Sequence, residues 1–200
     1  MAITLEKFTK SDNKLLKKLY ISAFPIEERC PYFIMMNREK RGKSEMLVAR
    51  DKGEFIGFAY MVCDEKLAYI FYLAVEASKR GQGYGTKIID ALKEKYKGRR
   101  LFLAREQLDK SAENYEQRVN RHNFYLNCGF EDLPCCIKEG PVVYDVMGIG
   151  GNVTAEEYHS LIKDWAGILL KIVDMKSIEK QVEEGAWKSR KSTPVPNSEK

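Results

Sequence analysis

The sequence predicts a mixed α/β domain: a mostly antiparallel sheet of about seven strands, one pair of them parallel, flanked by helices. Residues 45–75 hold three apolar runs, MLVAR, FIGFAYMVC and LAYIFYLAV, joined by the polar turns DKGE and DEK, the pattern of an antiparallel meander. A strand, helix, strand succession then spans 67–106, and its right-handed crossover sets 67–75 parallel to 100–106. A last hairpin pairs 130–137 with 141–148 through a turn at EGP.

In chain order, residues 2–8 form a short first strand, and Ser11 with Asp12 offers an N-cap to a helix bearing Leu15, Leu16, Leu19 and Tyr20 on one face. Pro25 stops that helix. A second helix, 31–41, packs Phe33, Ile34 and Met36 and ends at Gly42, and the loop FPIEERCP between the two is rich in carboxylates. The third meander strand, 67–75, is apolar at nearly every position, which places it centrally with both faces covered. After KRGQGYGT at 79–86, Ile88, Ile89, Leu92 and Tyr96 recur at helical spacing while Lys87, Asp90, Lys93, Glu94 and Lys97 point away. Gly98 ends that helix and RRLFLARE is the next strand. A helix over 113–128, marked by Tyr115, Val119, His122 and Leu126, is capped by Gly129.

Residues 1–149 therefore read as the main domain. Beyond it, Leu161, Trp165, Ile168, Leu169 and Ile172 keep helical spacing, so 150–185 is expected to be a helical extension that covers the core or joins two copies as a homodimer. Residues 186–200 have the composition of a disordered tail.

Composition removes several function classes. No apolar stretch approaches the roughly 18–20 residues of a membrane span, and the first residues lack a basic-then-apolar leader, so a soluble cytoplasmic protein with no membrane partner is expected. Five cysteines in odd number, without Cys-x-x-Cys, predict reduced thiols, and two histidines outside any ligand motif predict no metal site. The net charge of +5 is spread among acidic neighbours, which favours a solvated surface over a nucleic-acid footprint.

The glycine turn is the informative stretch. It lacks the Gly-Lys-Ser/Thr ending of a P-loop, and Gly81-x-Gly83-x-Gly85 is not the Gly-x-Gly-x-x-Gly of a dinucleotide fingerprint. What remains is the shared physics: glycines let backbone N–H groups converge on an anion at a helix N-terminus, with Lys79 and Arg80 adding charge.

Arg80-Gly81-Gln82-Gly83-Tyr84-Gly85 fits the Arg/Gln-x-x-Gly-x-Gly/Ala signature, and Phe124-Tyr125-Leu126-Asn127-Cys128-Gly129-Phe130 the Phe-Tyr-x-x-x-Gly-Phe segment, of the GCN5-related N-acetyltransferases. The chain resembles that family from about residue 2 to 149. The resemblance implies a sheet splayed between 67–75 and 100–106, with acetyl-CoA in the gap. It implies that Leu73, Ala74 and Val75 line the pantetheine arm, with Leu73 and Val75 pairing to it as a strand would. It further implies that Arg80, Gly81, Gln82, Gly83, Tyr84, Gly85 and Thr86 cradle the pyrophosphate.

The positive charge then suits a polyanionic cofactor without nucleic acid. Where the family often has Asn and Ala, seven and four residues before the tyrosine, this chain has Arg118 and Arg121, a form that looks like one bacterial subset.

Direct transfer to an amine needs a proton acceptor and a proton donor but no protein nucleophile. By the resemblance, Tyr125 points its hydroxyl at the cofactor sulfur and is the expected general acid, and Glu106, ending RRLFLARE on the acceptor side, is the expected general base, directly or through water. Glu27, Glu28, Asp64 and Glu65 lie in loops expected to border the acceptor. The acceptor, a small-molecule or protein amine, stays open, and a non-catalytic acyl-CoA sensor is the alternative reading.

Overall fold

The computed structural model describes residues 3–139, 142–167 and 188–189. Its strands are β1 (Thr4–Lys7), β2 (Glu45–Asp51), β3 (Glu54–Cys63), β4 (Leu67–Val75), β5 (Arg100–Glu106), β6 (Glu131–Glu139), β7 (Val142–Ile149) and the two-residue β8 (Lys188–Ser189). Its helices are α1 (Asn13–Ala23), α2 (Tyr32–Lys40), α3 (Tyr84–Lys95), α4 (Tyr115–Asn127) and α5 (Ala155–Ala166). The sheet order is β1-β2-β3-β4-β5-β7-β6-β8, with β4 and β5 parallel and every other pair antiparallel. The seven long strands are those the sequence predicts. Of the span read as a tail, Lys188 and Ser189 pair with Cys136 and Cys135, and the remainder lies outside the described residues, as do Ile168, Leu169 and Ile172.

Each face of the sheet carries its own core. Leu16, Leu19 and Tyr20 of α1, Met35 of α2 and Leu161 and Trp165 of α5 pack on one face, against Phe58, Tyr60, Leu67, Tyr69, Tyr72 and Phe102. Ile88, Ile89 and Leu92 of α3, with Phe124, Tyr125 and Cys128 at the end of α4, pack on the other, against Ala68, Ile70, Leu101 and Leu103. Burial of both faces accounts for the unbroken apolar run of β4. No described helix is long and apolar enough to cross a membrane.

Two details depart from expectation. Asp12 does not cap α1 with its side chain; its carboxylate accepts from the Thr9 N–H at 3.0 Å and hydroxyl at 2.7 Å and pairs with Arg50, tying the start of α1 to β2. On α4, of the four positions expected to mark the buried face, only His122 is buried, and Leu126 is 39% exposed. The face turned toward the sheet runs through Arg118, Arg121, His122 and Tyr125, which follow the i, i+3, i+4, i+7 helical spacing but are mostly polar.

Candidate active site

The central feature is a fork. Strands β4 and β5 pair only from Leu67 with Arg100 to Ile70 with Leu103. Beyond that point β5 continues along β7 as far as Glu106 with Tyr144, while β4 continues along β3. Among the described residues, no strand pairs with the edge of β4 from Phe71 to Val75 that faces β5. Leu73 and Val75 turn their side chains to the α3 face, and Ala74 is buried on the opposite face.

At the open end of the fork the chain enters the glycine turn. Gly81 and Gly83 have φ of +73° and +76°, and a Cβ on either would meet nothing within 4 Å, so this backbone is strained for other residues and its surface is open. Gly83 is the N-cap of α3 and no side chain caps it. The Lys87 N–H is bonded to the Gly83 carbonyl at 3.2 Å, so the N–H groups of Tyr84, Gly85 and Thr86 precede the first intrahelical bond. This is a place for an anion, and its geometry fits the diphosphate of the cofactor that the fold implies.

The neighbouring side chains shape the turn. Arg80 Nε donates to the Val75 carbonyl at 3.1 Å and Gln82 Nε2 to the Ser78 carbonyl at 2.9 Å. Lys79 pairs with Glu54 at 2.8 Å, and the Tyr84 hydroxyl donates to Asp51 at 2.7 Å, so the turn is pinned to the β2–β3 hairpin. Thr86 is exposed on the first turn of α3.

Tyr125 sits in the last turn of α4, on the face where α3 packs. The Gly129 N–H reaches the Leu126 carbonyl at 2.8 Å and the Phe130 N–H the Tyr125 carbonyl at 3.0 Å, with Gly129 at φ +83°. That is a Schellman stop, and its apolar clasp is the Tyr125–Phe130 ring contact at 5.7 Å. The Phe-Tyr-x-x-x-Gly-Phe spacing therefore has a mechanical meaning: it ends the helix and fixes the tyrosine. Burial pushes the Tyr125 hydroxyl up to about 12, against the opposing pull of the Arg121 charge.

Glu106 ends β5 and is largely buried. Arg118 Nη2 lies 2.8 Å from its Oε1 and Arg121 Nη1 3.2 Å from its Oε2, so both guanidiniums at the departures from the family pattern hold this carboxylate. Arg118 also donates to the Asn114 side chain at 2.7 Å and the Gln107 carbonyl at 2.9 Å, clamping the β5–α4 loop. Behind it lies a second tie, in which His122 meets Asp132 at 3.0 Å and Arg105 reaches Asp132 and Asp145 at 3.0 and 3.3 Å.

The loop carboxylates separate. Asp64 and Glu65 lie in the β3–β4 turn, at the closed end of the fork, where Asp64 accepts from the Lys66 and Leu67 N–H groups at 2.7 Å; they do not border the open end as expected. Glu28 does belong to the open side through its backbone. Its carbonyl accepts from the Tyr72 hydroxyl at 2.7 Å, and the Cys30 N–H donates to the same hydroxyl at 2.8 Å, stapling the α1–α2 loop to β4. Nothing in the sequence marks Tyr72 for this role, since it reads as one more apolar strand residue. The thiols are unsuited to nucleophilic work: burial pushes Cys30, Cys63 and Cys135 to about 12 and raises Cys128.

Residues 42–132 match the family model described as an acetyltransferase (GNAT) domain, from just after α2 into β6. An acetyltransferase assigned to the GNAT family from Bacteroides thetaiotaomicron superposes with a TM-score of 0.63 and 25% identity, covering 84% of this chain and 97% of that one. Residues 42–132 thus carry a match to the GNAT acetyltransferase domain, and the fold of the described residues is that of GNAT structures. Two further GNAT-fold neighbours share the architecture at lower identity. An aminoglycoside 6'-N-acetyltransferase solved with coenzyme A has a TM-score of 0.56 and 17% identity over 73% of this chain and 96% of its own. Naa50 from Arabidopsis thaliana, solved with the bisubstrate analogue CoA-Ac-MVNAL, has a TM-score of 0.54 and 19% identity over 76% of this chain and all of its own. No curated protein matches the sequence.

Proposed function

We propose that this chain of GNAT fold is an acetyl-CoA-dependent N-acetyltransferase acting on a primary amine by direct attack within a ternary complex. One observation carries the reading: the β4 edge from Phe71 to Val75, unpaired among the described residues, leads straight into the uncapped N-terminus of α3 at Gly83. An extended amide-bearing arm ending in a diphosphate suits that pair of surfaces, through strand-like pairing with Leu73 and Val75 and N–H donation from the turn 80–86. When bound, acetyl-CoA supplies the acetyl group and a thiol leaving group.

Tyr125 is the proposed proton donor to the departing sulfur. Its hydroxyl keeps its proton at neutral pH, because burial raises it to about 12. Glu106, oriented by Arg118 and Arg121, is the proposed acceptor of the amine proton, directly or through one water. The new C–N bond replaces the C–S bond, one proton leaves the amine and one reaches the thiolate, so no further reactant is needed. The structural neighbours include an aminoglycoside acetyltransferase and a protein solved with a CoA–peptide bisubstrate analogue, and the acceptor class here is proposed no more narrowly than an amine on a small molecule or protein.

Release of free thiol from acetyl-CoA against a panel of amines, amino-acid derivatives and peptides tests this reading. Amine-dependent thiol release supports it. Tight CoA binding with no turnover on any acceptor would favour the rival reading, an acyl-CoA sensor.

A further inference from the structure

We propose that Phe71 sets the length of the acyl group this protein accepts and confines it to acetyl. The inference rests on the acetyltransferase reading and adds the residue that measures the acyl chain. The register of β4 against β3 passes from Tyr60 with Tyr72 to Met61 with Ile70, so Phe71 is the extra residue of a β-bulge. The bulge turns Phe71 to the same face as Tyr72 rather than the opposite one. Phe71 is also the first β4 residue past the last β4–β5 pair, Ile70 with Leu103, and Ala104 is the first past it on β5. The residues at which the two strands part are therefore a phenylalanine on β4 and an alanine on β5, both packed against the same core.

The ring is held from behind. Its centroid lies 4.9 Å from that of Tyr72, 5.3 Å from Tyr69, 6.1 Å from Tyr60 and 5.0 Å from Trp165 of α5. The Trp165 indole N–H donates to the Tyr60 hydroxyl at 3.0 Å, and that hydroxyl donates to the Met35 carbonyl at 3.2 Å. A wall built this way has little room to yield. On its face of β4, Leu67, Tyr69, Tyr72 and Ala74 are all buried, whereas Phe71, at the point where the fork opens, is only partly buried.

An arm that runs from the turn 80–86 down the open edge passes Val75, then Leu73, and reaches Phe71 last, after roughly 13 Å of strand. Its acyl end then abuts the ring, and each added methylene is pressed against it. A tight apolar pocket discriminates one methylene by roughly 10- to 200-fold.

The experiment is calorimetric binding of CoA, acetyl-, propionyl-, butyryl- and hexanoyl-CoA to the full chain, to Phe71→Ala and to Phe71→Leu, with each acyl-CoA read as a ratio to free CoA in the same protein. Melting curves establish that each variant is folded, and Leu covers the case where Ala is not. The wild type is expected to bind butyryl-CoA at least tenfold more weakly than acetyl-CoA. Phe71→Ala is expected to bring the two within about threefold, with Leu between. Equal wild-type affinity for acetyl- and butyryl-CoA, or an undiminished butyryl penalty in both folded variants, overturns the proposal. Failure of the wild type to bind free CoA fails the acetyltransferase reading itself, before any acyl comparison, and the gauge falls with it.

Discussion

A Cβ placed on Gly85 would lie 3.0 Å from Cζ and 3.1 Å from Cε2 of Phe124. The two sequence motifs therefore touch: the third glycine of the turn is small because the first aromatic of the α4 terminus packs on it. Gly85 has ordinary helical φ, so Ala would gain up to roughly 1 kcal/mol of helix propensity, while overpacking the ring contact costs about 1–3 kcal/mol. The clash should win. Gly85→Ala is expected to lower the melting temperature, and Gly85→Ala with Phe124→Leu to recover part of the loss. A Gly85→Ala protein more stable than wild type would mean that the contact is not tight.

Gly83 serves a different end. Its φ of +76° and the open space around it mean that a side chain there strains the backbone and stands over the uncapped N–H groups. Gly42 has φ of +67° in equally open surroundings away from the fork, and supplies the control. Gly83→Ala and Gly42→Ala should lose similar stability, about 1–2 kcal/mol each. Only Gly83→Ala should weaken CoA binding, by tenfold or more in calorimetry, and equal affinities in the two variants would remove the turn from the binding site.

The fold was legible because β2, β3, β4, α3 and β5 announce themselves by period and by turn residues. The parts that escaped are those where polar contacts override the apolar period. On α4 the hydrophobic pattern points to Leu126, but ion pairs of Arg118 and Arg121 to Glu106 and of His122 to Asp132 turn a polar face inward. The bulge at Phe71 was invisible because it depends on register between strands, which one strand's sequence does not state. The same holds for Tyr72, whose hydroxyl finds its partners some 40 positions away in the chain. The glycine turn was readable because its chemistry is local.

Glu106 is paired with two guanidiniums, and its role as base is separable from a role as strut. Loss of a base should lower kcat/KM by roughly 100- to 10,000-fold at neutral pH in Glu106→Gln, with recovery as pH rises and the amine loses its proton to solvent. Loss of a strut should lower the rate by a similar factor at every pH and reduce the melting temperature. A pH–rate profile parallel to wild type would therefore pass the proton to water or to another group.

Glu157 anchors α5, and through it Trp165. It closes a capping box with Thr154 and pairs with Arg100, with Arg100 Nη1 donating to its Oε2 at 2.9 Å; the Arg100 pairing, then the Thr154 N–H, hold its carboxyl below the usual range. A depressed folded value means that the contribution is present above the unfolded value near 4.5 and is lost as pH falls through the folded one. The melting temperature of Glu157→Gln should lie below wild type at pH 7, and the gap should narrow as pH falls below 4.5 and the carboxyl takes up its proton. A gap independent of pH would assign the loss to packing.

Tyr125 carries the last prediction. Tyr125→Phe keeps the ring contacts with Phe124 at 5.1 Å and Phe130 at 5.7 Å and removes only the hydroxyl, so the Schellman stop and CoA affinity should survive. Turnover, measured where chemistry limits the rate, should fall by roughly 100- to 10,000-fold. The pH dependence adds a second reading. A general acid works in its protonated form, and burial has moved this hydroxyl from 10 up to about 12, so its ionisation should cause no loss of kcat below about pH 10. If a basic limb appears near pH 8 in wild type and persists in Tyr125→Phe, it belongs to another group. If Tyr125→Phe turns over at the wild-type rate, water protonates the sulfur, and the hydroxyl at the end of α4 has no part in the chemistry.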